Sequence, residues 1–257
     1  MAATAFSPDD PAIVDHFVEH GWVLTDDLDS REVADLQCWV EEVAATFDEP
    51  GEILHHREMT DFGPKLARSE NFVPVHAGLR DLLTRRLAKT ASRLIGEAAV
   101  LYKEKINYKL MGGAGFSPHQ DAPAYPFIES HVSCMVAVDD ATPENGCLEV
   151  VSGRHQRLLD MDDRGCIVSP IVDEMTWQFA PIRAGQTLWF HSLTPHRSGA
   201  NRSTRDRRAL YPTYNALSEG DLRESYYAEK LARFAAAERG ERVVLSLIGD
   251  FEGRPVD

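Results

Sequence analysis

The stretch Ser117-Pro118-His119-Gln120-Asp121 sets an imidazole and a carboxylate two positions apart, at what reads as the end of a strand. Side chains at i and i+2 of a strand point the same way, so His119 and Asp121 are expected to grip one metal ion together. Alone, a His-x-Asp tripeptide is common and carries little weight. A mononuclear site of the two-histidine, one-carboxylate type needs a further imidazole and leaves adjacent coordination positions open. The donor is sought in Leu188-Trp189-Phe190-His191-Ser192-Leu193-Thr194-Pro195-His196-Arg197-Ser198-Gly199. His196 there follows an apolar strand and a proline turn. His191 competes for the role, but it lies inside the apolar strand, where a core histidine is common. Eleven residues after His196 stands Arg207, at the start of the strand Arg207-Arg208-Ala209-Leu210-Tyr211. Its rigid fork of donors matches a carboxylate bidentately, and Ser198 can add a hydroxyl, so the pair suits the far end of a dicarboxylate.

The pattern His119-x-Asp121, His196, Ser198, Arg207, with Asn145-Gly146-Cys147-Leu148-Glu149-Val150-Val151-Ser152-Gly153-Arg154-His155, resembles the phytanoyl-CoA dioxygenase family of Fe(II)/2-oxoglutarate oxygenases. The likeness runs from about residue 12 to about residue 217. It implies that His119, Asp121 and His196 ligate Fe(II) and that 2-oxoglutarate chelates the metal through its keto acid end. It further implies that Arg207 and Ser198 hold the distal carboxylate, and that the enzyme consumes O2 to hydroxylate a C–H bond. The Ser198 and Arg207 offsets favour His196 over His191. Halogenating relatives replace the carboxylate by a small residue, so Asp121 argues for hydroxylation. Relatives act on small polar metabolites such as amino acids, aminophosphonates and natural-product intermediates, and on acyl-CoA. A small polar substrate is expected first. The rival readings are an acyl-CoA hydroxylase, a non-catalytic metal-binding jelly roll, and a cupin-type isomerase or cofactor-independent dioxygenase, which has no need of Arg207.

Short strands with glycine and proline turns, preceded by helices, fit a mainly β fold with flanking helices: a double-stranded β-helix, the cupin-like jelly-roll barrel. With 257 residues and 43% apolar content, one oxygenase domain over 1–257 is the simplest count. It divides into a helical part at about 10–96, a barrel at about 99–217 and a closing helix at about 221–238. A formal charge of −14 excludes nucleic acid and anionic membrane as natural partners. No apolar run reaches membrane-spanning length and Met1 to Asp10 lacks the features of a leader, so a cytoplasmic location is expected. Cys38, Cys134, Cys147 and Cys166 are scattered without Cys-x-x-Cys spacing and read as reduced thiols. Nothing in the sequence fixes the oligomeric state.

Along the chain, Asp9 or Asp10 and Pro11 start a helix that Gly21 ends, Ser30 is expected to cap a second, and Leu79 to Leu94 forms a third, stopped by Gly96. Residues 48–78 read as an irregular loop carrying His55, His56, Lys65 and Arg68, the last two candidate substrate contacts. From Ala99 the period becomes two, and Lys103, Lys105, Asn107 and Lys109 share a face. Such a face is usually solvent-exposed in a half-buried antiparallel strand. Relatives, however, place cosubstrate-contacting polar residues on the corresponding strand, which implies that Asn107, and with it Lys103, points inward. Tyr125 and Ser133 are further candidates for the cosubstrate pocket, each with an ordinary packing role as the alternative. Lys65, Arg68, Lys105, Arg205 and Gln120 suggest a polar, anionic substrate, although solvated charges would read the same way. Cys147 to Val151 is expected to return antiparallel to the strand His131 to Val138, and the tail from Glu252 to be loose.

Overall fold

The decisive feature of the barrel is which way the polar face of its central strand points. In the computed structural model, which describes residues 4–47, 51–125, 128–129, 131–238, 251–253 and 255–256, that face points inward. The larger sheet is built from β1 (Trp22–Asp26), the hairpin β2 (Leu54–Thr60) and β3 (Gly63–Glu70), then β4 (Ala99–Lys103) and β5 (Lys105–Lys109). The smaller sheet begins with β6 (Phe116–His119), and β7 (His131–Ala137) returns to the larger. β8 (Leu148–Val150) and β9 (Gln178–Ala180) belong to the smaller sheet, β10 (Gln186–His191) to the larger, and β11 (His196–Ser198) to the smaller. β12 (Arg207–Leu210), β13 (Thr213–Ala216) and β14 (Pro255–Val256) complete the larger sheet.

All named pairings are antiparallel; the larger sheet runs β1-β10-β7-β12-β5-β3-β2-β14, with β13 joining β4 to β7, and the smaller runs β6-β11-β8-β9. This is the expected jelly roll. One core lies between the two sheets and contains Leu24, Met135, Leu148, Val150, Leu188, Phe190 and Ala209. The other lies between the larger sheet and the helices, where Leu36, Val40, Leu79, Leu83 and Leu87 pack with Ile106, Tyr108, Val136 and Trp189. Because Ile106 and Tyr108 face the helices, strand alternation sends Lys105, Asn107 and Lys109 into the barrel. Asn107 is 9% exposed and Lys109 7%, so the lysine face is not a solvent face. The register of β4 slips by one residue against β13 between Thr213 and Tyr214, which leaves Leu101 in the helix-side core while Lys103 faces the cavity.

The helices follow the sequence with one change of cap. Helix α1 (Ala12–His20) begins after Asp10, whose side chain accepts the Ala12 N–H (2.9 Å), and ends on Gly21 at φ 79°. Helix α2 (Ser30–Ala45) is capped by Asp29 rather than Ser30: Asp29 accepts the Arg31 and Glu32 amides, and Glu32 returns a carboxylate to the Asp29 N–H. The third helical run comprises α3 (Ala77–Asp81), a π-helical stretch Leu82–Leu87 and α4 (Ala88–Ile95), with Gly96 at φ 90°. The short α5 (Ser169–Asp173) interrupts the long connection before β9, and α6 (Arg223–Glu238) closes the chain's path over β4.

Three expectations are corrected. Residues 54–70 are not loop but a β-hairpin joined to the sheet through β3 and β5; its polar sequence hides the strand period because cross-strand pairing, not apolar burial, holds it. β8 does not return beside β7 but crosses to the smaller sheet, between β11 and β9. The tail is not loose: Glu252 N–H donates to Gly115 O (3.1 Å), Phe251 stacks on Phe116, and β14 pairs with β2.

Between β4 and β5, Glu104 is fully buried and accepts hydrogen bonds from Arg223 of α6, the Val73 amide and the Tyr227 hydroxyl. Removing the guanidinium would leave a buried carboxylate without its cation. Arg223→Ala is therefore expected to destabilise the fold by about 3 kcal/mol in urea titration, and Arg223→Lys by clearly less.

Candidate metal centre

β6 and β11 lie side by side with His119 directly opposite His196, which brings two imidazoles together from distant parts of the chain. Their ring centroids are 4.1 Å apart. Asp121 joins them by a route other than the one its spacing suggests. The strand ends at His119, and Asp121 has turned to φ −71°, ψ −27° at the start of the short helical turn Ala122–Ala124. Its Oδ1 lies 3.8 Å from Nε2 of each histidine, and the three ligating atoms fall within 4.8 Å of one another. His191 is elsewhere, with Nδ1 accepting the Leu193 N–H and its ring against Phe17 and His155.

Hydrogen bonds fix the protonation pattern. His119 Nδ1 lies 2.7 Å from Ser117 O, and His196 Nδ1 lies 3.0 Å from Thr194 O. A carbonyl only accepts, so each Nδ1 carries a proton and Nε2 is the nitrogen each ring turns toward Asp121. The Ser133 hydroxyl donates to Asp121 Oδ2 at 2.7 Å and sits 3.1 Å from Thr213 Oγ1. Burial pushes the Asp121 carboxyl up, but the imidazoles of His196 and His119 and the Lys103 and Lys105 ammoniums outweigh it and hold it well below the usual carboxylate range. Two imidazole Nε2 atoms and one carboxylate, ordered by outer hydrogen bonds, suit a divalent cation such as Fe(II).

These groups open onto a cavity at the barrel mouth, also lined by Lys103, Lys105, Asn107, Ser133 and Ser198. Arg207 does not line it; 2% exposed, it pairs in register with Lys109 of β5, whose ammonium reaches Ser198 on the cavity wall. Arg207 Nη2 donates to Gly146 O at 2.9 Å, while Nε and Nη1 are buried and have no hydrogen-bond partner among the described residues. Lys109 Nζ donates to Ser198 Oγ (3.0 Å), Gly146 O (3.3 Å) and Gly199 O. Burial, then the Arg207 charge, pulls its ammonium down to about 7. Two buried cations with no carboxylate at ion-pair distance among the described residues are disposed to receive one from a ligand.

The remaining candidates separate. Arg68 supports the cavity rather than lining it: its Nε donates to Asn107 Oδ1 at 3.3 Å, which turns the Asn107 NH2 toward the cavity. Tyr125 lies beneath Lys103, whose ammonium sits 4.3 Å from the ring centroid, and packs on Tyr102. Gln120 is not a substrate contact; it is fully buried, donating to Arg157 O and Leu193 O and accepting the Leu159 N–H. Lys65 and Arg205 are exposed and do not line the cavity. The surface charges that suggested a substrate patch are thus only partly gathered here. Lys109 was not singled out as a site residue, although its parity with Asn107 already placed the two side chains on one face.

A model of the family "Phytanoyl-CoA dioxygenase (PhyH)" matches residues 17–209. The chain belongs to that family. It is an iron- and 2-oxoglutarate-dependent oxygenase, as the resemblance implied. Among curated proteins, the methylphosphonate hydroxylase of Gimesia maris is 46% identical over 247 residues, 94% of this chain and 95% of that protein. A 2-aminoethylphosphonate dioxygenase from an uncultured bacterium is 38% identical over 206 residues, covering 78% and 79%. Among solved structures, that of EctD from S. alaskensis with 2-oxoglutarate and 5-hydroxyectoine superposes with a TM-score of 0.72 at 21% identity, over 84% of this chain and 79% of that one, and shares the fold.

Since Ser133 holds the oxygen of Asp121 that does not face the imidazoles, Ser133→Ala is expected to weaken Fe(II) or Co(II) affinity by about tenfold, with Thr213→Ala doing less, in anaerobic metal titrations.

Proposed function

We propose that this protein hydroxylates the carbon next to phosphorus in a small alkylphosphonate, with Fe(II) as cofactor and 2-oxoglutarate and O2 as cosubstrates. The supporting observation is the 46% identity to a methylphosphonate hydroxylase, which spans 94% of this chain. The whole chain then acts as one oxygenase domain, working in the cytoplasm. His119 Nε2, His196 Nε2 and Asp121 Oδ1 would hold the metal, beside the cavity that would receive the cosubstrate.

Arg207 presents its two unmet N–H groups to the distal carboxylate of 2-oxoglutarate, and Lys109 and Ser198 complete that clamp. Asn107, oriented by Arg68, donates its NH2 toward the keto acid end. The bound metal with its cosubstrates supplies the oxidising power: one oxygen atom of O2 enters succinate as CO2 leaves, and the other converts C–H to C–OH. The protein's part is to fix cosubstrate and substrate side by side and keep the site ordered. Asp121 stays ionised throughout the physiological range, so it does not serve as a proton donor.

Protein reconstituted with Fe(II) under anaerobic conditions, given 2-oxoglutarate and methylphosphonate and then exposed to oxygen, is expected to yield equal amounts of succinate and hydroxymethylphosphonate, read by phosphorus NMR. Succinate at the same rate with and without alkylphosphonate would rule out this substrate class. Asp121→Ala is expected to abolish turnover, and Arg207→Ala to raise the KM for 2-oxoglutarate by about tenfold or more with little change in kcat. Raising the pH through about 7 strips the proton from Lys109 in the free enzyme and weakens its attraction for the carboxylate. kcat/KM for 2-oxoglutarate is accordingly expected to fall above that pH, and Lys109→Arg, which keeps its charge, to remove the fall.

A further inference from the structure

β6 is the edge strand of the smaller sheet, and its ladder with β11 is interrupted by a bulge. From His196 to Ser198 β11 advances two positions, while β6 advances three from Phe116 to His119. In an unbroken strand, residues three apart face opposite sides; the extra residue lets Phe116 and His119 both reach the cavity wall. Ser117 and Pro118 lie within that bulge, where the ladder is disrupted and the strand needs support from elsewhere.

Residues 251–253 supply that support from the outer edge. Phe251 forms a bridge with Phe116, their ring centroids 5.1 Å apart, and the Glu252 N–H donates to Gly115 O at 3.1 Å. A side chain at Gly115 would strike the main chain of Ser198 and Gly199 and crowd the Glu252 carboxylate, so glycine is what lets this strap close on the strand. The Ser117 hydroxyl donates to Glu252 Oε1 at 3.0 Å, and the Ser117 main-chain oxygen lies 2.7 Å from His119 Nδ1, which donates to it. Two hydrogen bonds therefore lead from the Glu252 carboxylate to a metal imidazole. The same carboxylate acts on Lys109, whose ammonium lies 6.0 Å from the Phe116 ring centroid. Burial and then the Arg207 charge pull that ammonium down, while Cys147, Glu252 and Glu58 push it up. Glu58 belongs to β2, where Pro255 pairs with it.

We infer that Glu252 is a positioning residue for both halves of the site: through the Ser117 hydroxyl it steadies the bulge that presents His119 to the metal, and through its negative charge it supports the Lys109 ammonium that receives the cosubstrate carboxylate. The second half rests on the reading of Arg207, Lys109 and Ser198 as the 2-oxoglutarate clamp. Residue 252 lies beyond the stretch 17–209 that the family model matches, so this control is added to the shared fold from outside it. A carboxylate that touches neither metal nor cosubstrate then sets the affinity for each. The two effects use different properties of one side chain. The bond to Ser117 needs an acceptor oxygen, which an amide also offers, whereas the action on Lys109 needs the charge.

The test compares Ser117→Ala, Glu252→Gln and Glu252→Ala in the full chain by two anaerobic titrations: Co(II) alone, and 2-oxoglutarate into the Fe(II) protein on either side of neutral pH, read by the visible band the pair forms. Ser117→Ala is expected to weaken Co(II) binding by about fivefold and to leave the pH dependence of 2-oxoglutarate binding in place. Glu252→Gln is expected to do the reverse: Co(II) affinity close to wild type, and the loss of 2-oxoglutarate affinity with rising pH displaced downward by about half a pH unit or more. Glu252→Ala should show both effects. Co(II) binding weakened as much in Glu252→Gln as in Glu252→Ala would overturn the hydrogen-bond half, and so would unchanged Co(II) binding in Ser117→Ala. A pH dependence that stays in place in Glu252→Gln would overturn the charge half while leaving the clamp intact. Wild-type 2-oxoglutarate binding that is flat through about pH 7 would overturn the Lys109 clamp itself, and the charge half with it. The two conservative variants decide each half even where Glu252→Ala loosens the fold.

Discussion

The antiparallel pairing of β6 with β11 is the interaction on which the rest depends. It sets His119 opposite His196, and a slip of one residue in that pairing would send one imidazole to the wrong face of the sheet. The register is held from both sides, because β11 also pairs with β8 and β6 is covered at its outer edge by Phe251 and Glu252. The sheet thus delivers two ligands as a by-product of its own hydrogen bonding, and the third arrives by a turn. The larger sheet then supplies the cations and an amide: Lys103, Lys105, Asn107 and Lys109 from two consecutive strands, and Arg207 from their neighbour.

Much of this was legible in the amino-acid order because metal chemistry demands particular side chains at particular intervals. The clustering of His119, Asp121 and His196 and the jelly roll followed from spacing, strand pattern and family resemblance. What the sequence concealed was tertiary. The hairpin over residues 54–70 lacks an apolar period, since its strands are held by pairing and by ion pairs such as Arg68 with Glu70. The lysine face of β5 looked equally suited to solvent, and only the helices packed on Ile106 and Tyr108 decide which side is inside. Gln120 looked like a substrate contact by proximity to the ligands, whereas its amide is consumed by three backbone groups.

An acidic protein with a basic interior combines two separate electrostatic tasks. The formal charge of −14 belongs to the whole chain, while the cavity concentrates lysines and an arginine around a single carboxylate. Buried cations of this kind cost stability unless they are matched, and here they are set against aromatic rings and backbone carbonyls. The clearest instance is Arg207, with two N–H groups unmet among the described residues.

The two imidazoles and the carboxylate also differ in how firmly they are held. Each ring is pinned through Nδ1 to a main-chain oxygen two residues before it, so neither can swivel without breaking that bond. Asp121 hangs from a short turn, steadied by a hydroxyl. Ions of different radius will therefore be accommodated by movement of the acidic arm, while the nitrogen pair behaves as a fixed jaw.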